Sequence, residues 1–345
     1  MAISPPDYVT QDRGLIIENR HAIHAAITNA SGRLLYAVGD PTRLTLIRSA
    51  AKPAQSVAVL EALASPSPDS TLPPDFTLSD EDVALMSASH SSEEAHLDHA
   101  RALLRRGGNS PSDLKCGGHP AISPAVNERW IREGIVPEGI HNNCSGKHAG
   151  MLAASRALAS DGYHLPIHPI QVQVKEVVED LVGGLGEVKW AVDGCNLPAP
   201  AMPLTSLATM YASFASADPS SPQARERHMA RVFGAMHEHP FLVSGTGRFC
   251  AAIASIPGVV GKVGADACYG VGIRGEGIGI AVKVEDGNMD ILWATVAEIM
   301  ERLGVGTAEE RRAMDKFHRI ERRNTAGIKI GEVAFPFVLR DMREA

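Results

Sequence analysis

Strand-like segments crowd both ends of this sequence and capped helical segments fill its middle. That order fits a sheet assembled from both chain ends with helices packed on it, an α+β fold. Segments 14–19, 22–28 and 34–38 are short and bounded by the turn formers Asn29, Ser31 and Gly32. Segments 188–192, 261–263, 269–273 and 277–284 repeat the pattern late, the last stopping at Asp286-Gly287. Between them, Val57, Leu60 and Leu63 have helical spacing over 54–64. Ser79 can cap a helix with Asp82, and Ser91 with Glu94 forms a capping-box pattern ahead of 95–106. Helices are also predicted over 145–160, 170–182, 203–216, 222–237, 292–303 and 308–317. The Pro- and Ser-rich stretch 65–74 reads as a surface loop. The chain is thus read as one catalytic domain over 1–345. Its sheet parts lie at about 13–45, 188–193 and 250–335, its helical part at about 49–183.

The 345 residues permit a sizeable core, with 44% hydrophobic and 21% charged residues. A net charge of -7 with pI ≈ 6.1 argues against nucleic acid or an anionic membrane as the main partner. The first ten residues contain no apolar run, and no stretch approaches a membrane span. Five scattered cysteines do not form a disulfide framework, which points to a reducing, cytoplasmic setting.

Four constellations carry chemistry. In Ser49-Ala50-Ala51-Lys52, positions three apart share a helical face, so an amine can serve a hydroxyl that is a poor nucleophile alone. Pro53 is tolerable only in or beside a first helical turn, which sets the helix start near Ser49, where N–H groups suit a developing oxyanion. The plain alternative is a capping serine and a solvated lysine. Lys262 in Gly261-Lys262-Val263-Gly264 matches the strand-borne Lys-x-Gly of penicillin-recognising enzymes, or else is a strand-edge lysine beside a turn. Ser89 and His90 stand between two predicted helices and are not needed for capping. Finally, Cys144 and Lys147 open a predicted helix, and Cys195 follows a strand in Asp193-Gly194-Cys195. Two sulfurs suit a soft divalent metal, although isolated cysteines more often sit in a core.

Together the blocks resemble the Rhizobium etli type of L-asparaginase. They are Arg13-Gly14…Glu18…His21, Arg48-Ser49…Lys52-Pro53, Ser89-His90…Glu93, Cys116-Gly117…His119-Pro120, His141-Asn142…Cys144-Ser145-Gly146-Lys147-His148-Ala149-Gly150-Met151, Asp193-Gly194-Cys195 and Lys262…Gly264-Ala265. The resemblance implies a serine β-lactamase/glutaminase-like fold and hydrolysis of L-asparagine to L-aspartate and ammonia through a serine acyl-enzyme. It implies serine–lysine pairs Ser49–Lys52 and Ser89–Lys262, and zinc (Zn2+) on Cys144, Lys147 and Cys195. Arg48, His148 and Asp193 would anchor the substrate, and the chain would form a homodimer. Two departures stand out: Ser92 where the family carries glycine, and loop 65–74, both expected near the substrate mouth. The alternatives are another acyl-transfer enzyme on this scaffold (β-lactamase, esterase, peptide amidase or transamidase) and a zinc-holding binding protein without turnover.

Overall fold

Along residues 23–27 the side chains alternate between two cores: Ile23, Ala25 and Ile27 join one buried cluster and Ala26 the other. A period of two with both faces buried makes this a central strand. The computed structural model, which describes residues 6–184 and 187–343, places it in the middle of an antiparallel sheet. Residues 1–5 of the segment searched for a targeting signal lie outside the described residues.

The strands, in chain order, are β1 (Tyr8–Arg13), β2 (Ile16–Asn29), β3 (Leu34–Val38), β4 (Leu44–Leu46), β5 (Lys189–Val192), β6 (Pro198–Pro203), β7 (Val259–Gly264), β8 (Cys268–Ile273), β9 (Ile278–Val284), β10 (Glu321–Arg323), β11 (Lys329–Ala334) and β12 (Arg340–Asp341). The main sheet runs β10-β11-β1-β2-β9-β8-β7, with β3 pairing β2 and β12. Ile23 faces Val284 and Thr28 faces Gly279, so the two chain ends meet at the sheet centre, as the sequence order implied.

The helices between are α1 (Lys52–Ala64), α2 (Asp80–Met86), α3 (Glu94–Arg106), α4 (Pro124–Glu133), α5 (Ser145–Ala157), α6 (Pro169–Val182), α7 (Leu204–Ser216) and α8 (Ala224–Glu238). Two short turns follow, α9 (Pro240–Val243) and α10 (Phe249–Ile253), and α11 (Met289–Arg302) covers the other face of the sheet. Small sheet residues let α7 lie close: a Cβ at Gly279 would stand 1.9 Å from the Ala208 carbonyl oxygen. Among the described residues no helix is long and apolar enough to cross a membrane.

Several local expectations change in the fold. Segments 14–19 and 22–28 merge from Ile16 onward into one long strand, β2, while Gly14 and Leu15 form the turn before it. The N-cap of α3 is Glu93 rather than Ser91, whose hydroxyl donates instead to the Ser244 carbonyl at 2.8 Å. A tertiary acceptor outcompetes the local cap. The charged segment 308–317 breaks into short helical turns around buried Met314. In β6, Pro198, Pro200 and Pro203 lack donors but keep their carbonyls, and Pro200 accepts from the Ile47 N–H at 3.1 Å.

Candidate active site

The small sheet β4-β6-β5 aligns two chain segments far apart in sequence. Leu46 faces Ala201, and Val192 faces Pro198 on the same central strand. The residues that follow, Arg48 after β4 and Asp193 after β5, are therefore neighbours. Arg48 Nε donates to Asp193 Oδ1 at 2.9 Å, and its Nη1 to Asp266 Oδ2 at 2.6 Å. Arg48 holds a left-handed backbone, φ 51°, a conformation that non-glycine residues adopt only where surrounding contacts impose it. Burial works to raise the Asp193 carboxyl, but Lys147 and Arg48 outweigh it and hold it below the usual carboxylate range.

Residues Arg48–Ala51 form a 3-10 turn that runs straight into α1, with Pro53 in its first turn. Two contacts fix that turn. Tyr211 of α7 donates to the Ala50 carbonyl at 2.9 Å. On the other side β7 comes so close that a Cβ at Gly264 would lie 2.3 Å from the Ile47 carbonyl oxygen. Gly264 thus brings Lys262 against the serine turn. Ser49 is half-buried, and its hydroxyl makes no hydrogen bond among the described residues.

Lys52 makes no hydrogen bond to Ser49 and reaches the loop after α2. Its Nζ donates to the Ala88 carbonyl and, at 3.2 Å, to Ser89 Oγ. Lys262 Nζ donates to the same Ser89 Oγ at 2.8 Å and to the Val263 carbonyl at 2.9 Å. The expected Ser89–Lys262 pair is therefore in hydrogen-bond contact. The expected Ser49–Lys52 pair is not, and Ser89 instead bridges both lysines. All three bridging side chains are buried: Lys52 1% exposed, Ser89 3%, Lys262 0%. Burial, then the neighbouring Lys52 ammonium, pull Lys262 from 10.5 down to about 7.

The Ser89 loop is tied to the start of α5. His90 Nδ1 accepts from the Ser92 N–H at 3.1 Å, so its Nε2 carries the proton and donates to Ser145 Oγ at 3.0 Å. In that tautomer His90 is a joint between two blocks and not a base for Ser145. Ser92 is fully buried at φ 59°, and its hydroxyl donates to the His141 carbonyl at 2.8 Å. Glycine suits that backbone best, and serine is retained there by one hydrogen bond. Ser92→Gly is expected to shift stability by less than about 1 kcal/mol, because relief of the left-handed strain offsets the lost bond. Ser92→Ala keeps the strain without the bond and is expected to destabilise by about 1–2 kcal/mol. Urea unfolding of the two variants measures the difference. Loop 65–74 sits away from this joint: Thr71 N–H donates to the Arg156 carbonyl, nine residues and about 14 Å along α5 from Lys147. Ser92 is thus packed inside, and loop 65–74 lies at the far end of α5.

Cys144, Lys147 and Cys195 converge beside this centre. Lys147 Nζ lies 3.1 Å from Cys195 Sγ, and the Cys144 thiol donates to Asn143 Oδ1 at 3.3 Å. The neighbouring Cys195 thiol, with Lys52 and Lys147 nearby, holds Cys144 well below the usual thiol range, while the proximity of Cys144 and burial push Cys195 up. Burial alone would lower Lys147, but the sulfurs and Asp193 raise it. Among the described residues no three His, Cys, Asp or Glu side chains gather around a metal-sized space. The converging donors are two sulfurs and one amine, a set that fits a soft divalent cation once the amine has lost its proton.

Sequence reading missed three participants. Asp266 is a second carboxylate on Arg48, reached through the hairpin turn after β7. Ala88 supplies a carbonyl to Lys52. Tyr163 holds His148, its Oη 2.8 Å from His148 Nδ1. Residue type in the sequence announces none of these roles, because each depends on a tertiary contact.

Solved structures with similar folds include a β-lactamase from Mycobacterium bovis, at 13% identity, covering 82% of this chain and 95% of that one, TM-score 0.45. Others are a mutant simvastatin synthase from Aspergillus terreus (10% identity, 76% and 86% covered, TM-score 0.39) and Mglu in its native form (15% identity, 82% and 61% covered, TM-score 0.36). No curated protein matches the sequence. The sequence profile described as L-asparaginase II matches residues 9–335, nearly the whole length. With that match spanning both serine–lysine blocks and the cysteine–lysine cluster, the chain belongs to the L-asparaginase II family.

Proposed function

We propose that the protein hydrolyses the side-chain amide of L-asparagine to L-aspartate and ammonia through an acyl-enzyme on Ser49. The observation that carries the reading is the Ser89 hydroxyl held between the amines of Lys52 and Lys262. Two buried amines joined by a hydroxyl can take up and return a proton without solvent. Ser49 is the reachable hydroxyl and Ser89 the enclosed one, which favours Ser49 for attack and Ser89 for relay.

In this mechanism Lys52 first passes a proton through Ser89 to the neutral Lys262 and, on swinging back to Ser49, accepts its proton as Ser49 Oγ bonds to the amide carbon. N–H groups at the start of α1 face the developing oxyanion. Collapse breaks the C–N bond, and Ser89, resupplied by the lysines, protonates the leaving nitrogen. Water then cleaves the ester and releases aspartate. Arg48 anchors the α-carboxylate, with Asp193 and His148 completing the substrate contacts. Zinc held by Cys144, Lys147 and Cys195 would supply a fixed positive charge beside the substrate. The cytoplasmic setting and the homodimer belong to the same proposal, the latter checked by light scattering.

Because Lys262 is neutral only above about 7, the base form of the lysine pair is lost as the pH falls. The expected kcat/KM profile rises roughly tenfold per pH unit below that point and levels off above it. Initial rates from pH 5 to 9 check it, and a flat profile between 6 and 8 counts against Lys262 in the relay.

The deciding assay is ammonia release from L-asparagine by purified protein, with L-glutamine in parallel and zinc measured on the same sample. Nitrocefin and an aryl ester run alongside, because a serine–lysine centre also acylates on those groups. Release from asparagine supports the proposal, and turnover of the ester or nitrocefin alone replaces it with another acyl transfer.

A further inference from the structure

We propose that Tyr163 is a positioning residue that locks His148 into its Nε2–H tautomer, presenting a hydrogen-bond donor to a ligand carboxylate or carbonyl oxygen. The role rests on the reading of His148 as a substrate anchor. His148 sits on the first turn of α5, next to Lys147, and is 0% exposed. Its Nδ1 lies 2.8 Å from Tyr163 Oη, with the two rings edge-on at 84°. Its Nε2 is buried with no hydrogen-bond partner.

The direction of the Tyr163–His148 bond follows from counting donors. Tyr163 Oη already accepts from the Lys115 N–H at 2.8 Å. If the phenol donates to His148 Nδ1, every proton at this junction is placed except the one on Nε2. If His148 Nδ1 donates to the phenol, the phenol proton has no acceptor and Nε2 is left with a bare lone pair, two buried groups unpaired instead of one. Buried polar groups are overwhelmingly paired, so the first arrangement holds. The remaining Nε2–H is then a fixed donor awaiting an acceptor. The phenol stays protonated, its ionisation raised first by burial. Tyr163 is itself anchored, since its carbonyl accepts from Gln171 Nε2 of α6 at 2.8 Å.

A free amino acid with an amide side chain carries two kinds of acceptor, the α-carboxylate and the side-chain carbonyl, and either satisfies this donor. A lysine or ammonium ligand would not, which restricts His148 to the acidic or carbonyl end of the substrate.

The test is NMR of protein labelled with 15N-histidine, in which the two neutral tautomers give distinct nitrogen shifts, with His148→Gln assigning the signal. The wild type is expected to show Nε2–H. Tyr163→Phe, which keeps the ring, is expected to give a mixture of tautomers. Its binding of L-aspartate should weaken about tenfold, equivalent to about 1.4 kcal/mol, with kcat changed less than KM. An Nδ1–H signal in the wild type overturns the assignment and requires no variant to fold. Unchanged tautomer and aspartate affinity in Tyr163→Phe overturn it as well. An Nε2–H signal in protein that releases no ammonia from asparagine supports the tautomer lock while sinking the asparaginase reading.

Discussion

Ser49→Ala is expected to lower kcat/KM for asparagine by at least about 10⁴-fold, since loss of a nucleophile that works as a unit with its base removes nearly all covalent catalysis. The fold should not notice. Ser49 Oγ makes no hydrogen bond among the described residues, and its turn is held by Tyr211, the Ile47–Gly264 approach and Pro53. Thermal unfolding of the variant should therefore match the parent to within a degree or two, and its zinc content should be unchanged. Ser89→Ala separates the two hydroxyls. It leaves Lys52 and Lys262 facing each other with nothing shared, so it should slow both acylation and ammonia departure while Ser49 can still be acylated by an activated ester. If Ser49→Ala retains turnover and Ser89→Ala loses the ester reaction too, the nucleophile is Ser89.

Lys262→Met should have two opposed effects: turnover falls by about 10³-fold or more, and the folded state becomes more stable at neutral and acid pH. Lys262 is fully buried, and its pKa drops from 10.5 to about 7 on folding. A base whose folded pKa is depressed destabilises the fold wherever the unfolded chain holds the proton more tightly. The penalty is full below about 7, shrinks as the pH rises from there, and vanishes above the unfolded value of 10.5. The depression corresponds to a cost on the order of 5 kcal/mol. Methionine removes that cost but forfeits the bonds to Ser89 and the Val263 carbonyl, worth about 1–3 kcal/mol each for a charged donor. The net expectation is a gain on the order of 1 kcal/mol at pH 6 and a loss near pH 10. Denaturant midpoints at the two pH values test the sign. A variant less stable than the parent at pH 6 would show that Lys262 is not strained by burial.

What the sequence made legible was decided by how local the cause was. The capping box of Ser79 with Asp82 forms as read, because both partners lie within one helical turn. Pro169 opens α6 for the same reason. The meeting of the chain ends was also legible, since isolated strand segments at both ends require partners. Lys52 is the instructive exception. Helical spacing placed its amine near Ser49, yet its long side chain reaches the Ala88 carbonyl and Ser89, which only the packing of α2 supplies. β6 was hidden by its prolines, and β10, β11 and β12 by polar, half-exposed residues without clean alternation. The candidate site residues were named from their ordered blocks, and their partners came only from the fold.

The pairing of β2 with β9 also sets when the molecule can begin to work. A strand finished by residue 29 waits for a partner that starts at residue 278. At 5–20 residues per second that delay is on the order of 10–50 seconds of synthesis. Until then Ser49 and Lys52 exist on a growing chain without β9, the strand that joins β8 and the Lys262-bearing β7 to β2. Such sequence-distant pairing folds slowly, so refolding from denaturant should be slow, and catalysis should return only with the last strands in place. A copy of this chain that stops short of β9 is then expected to be inactive in the proposed reaction.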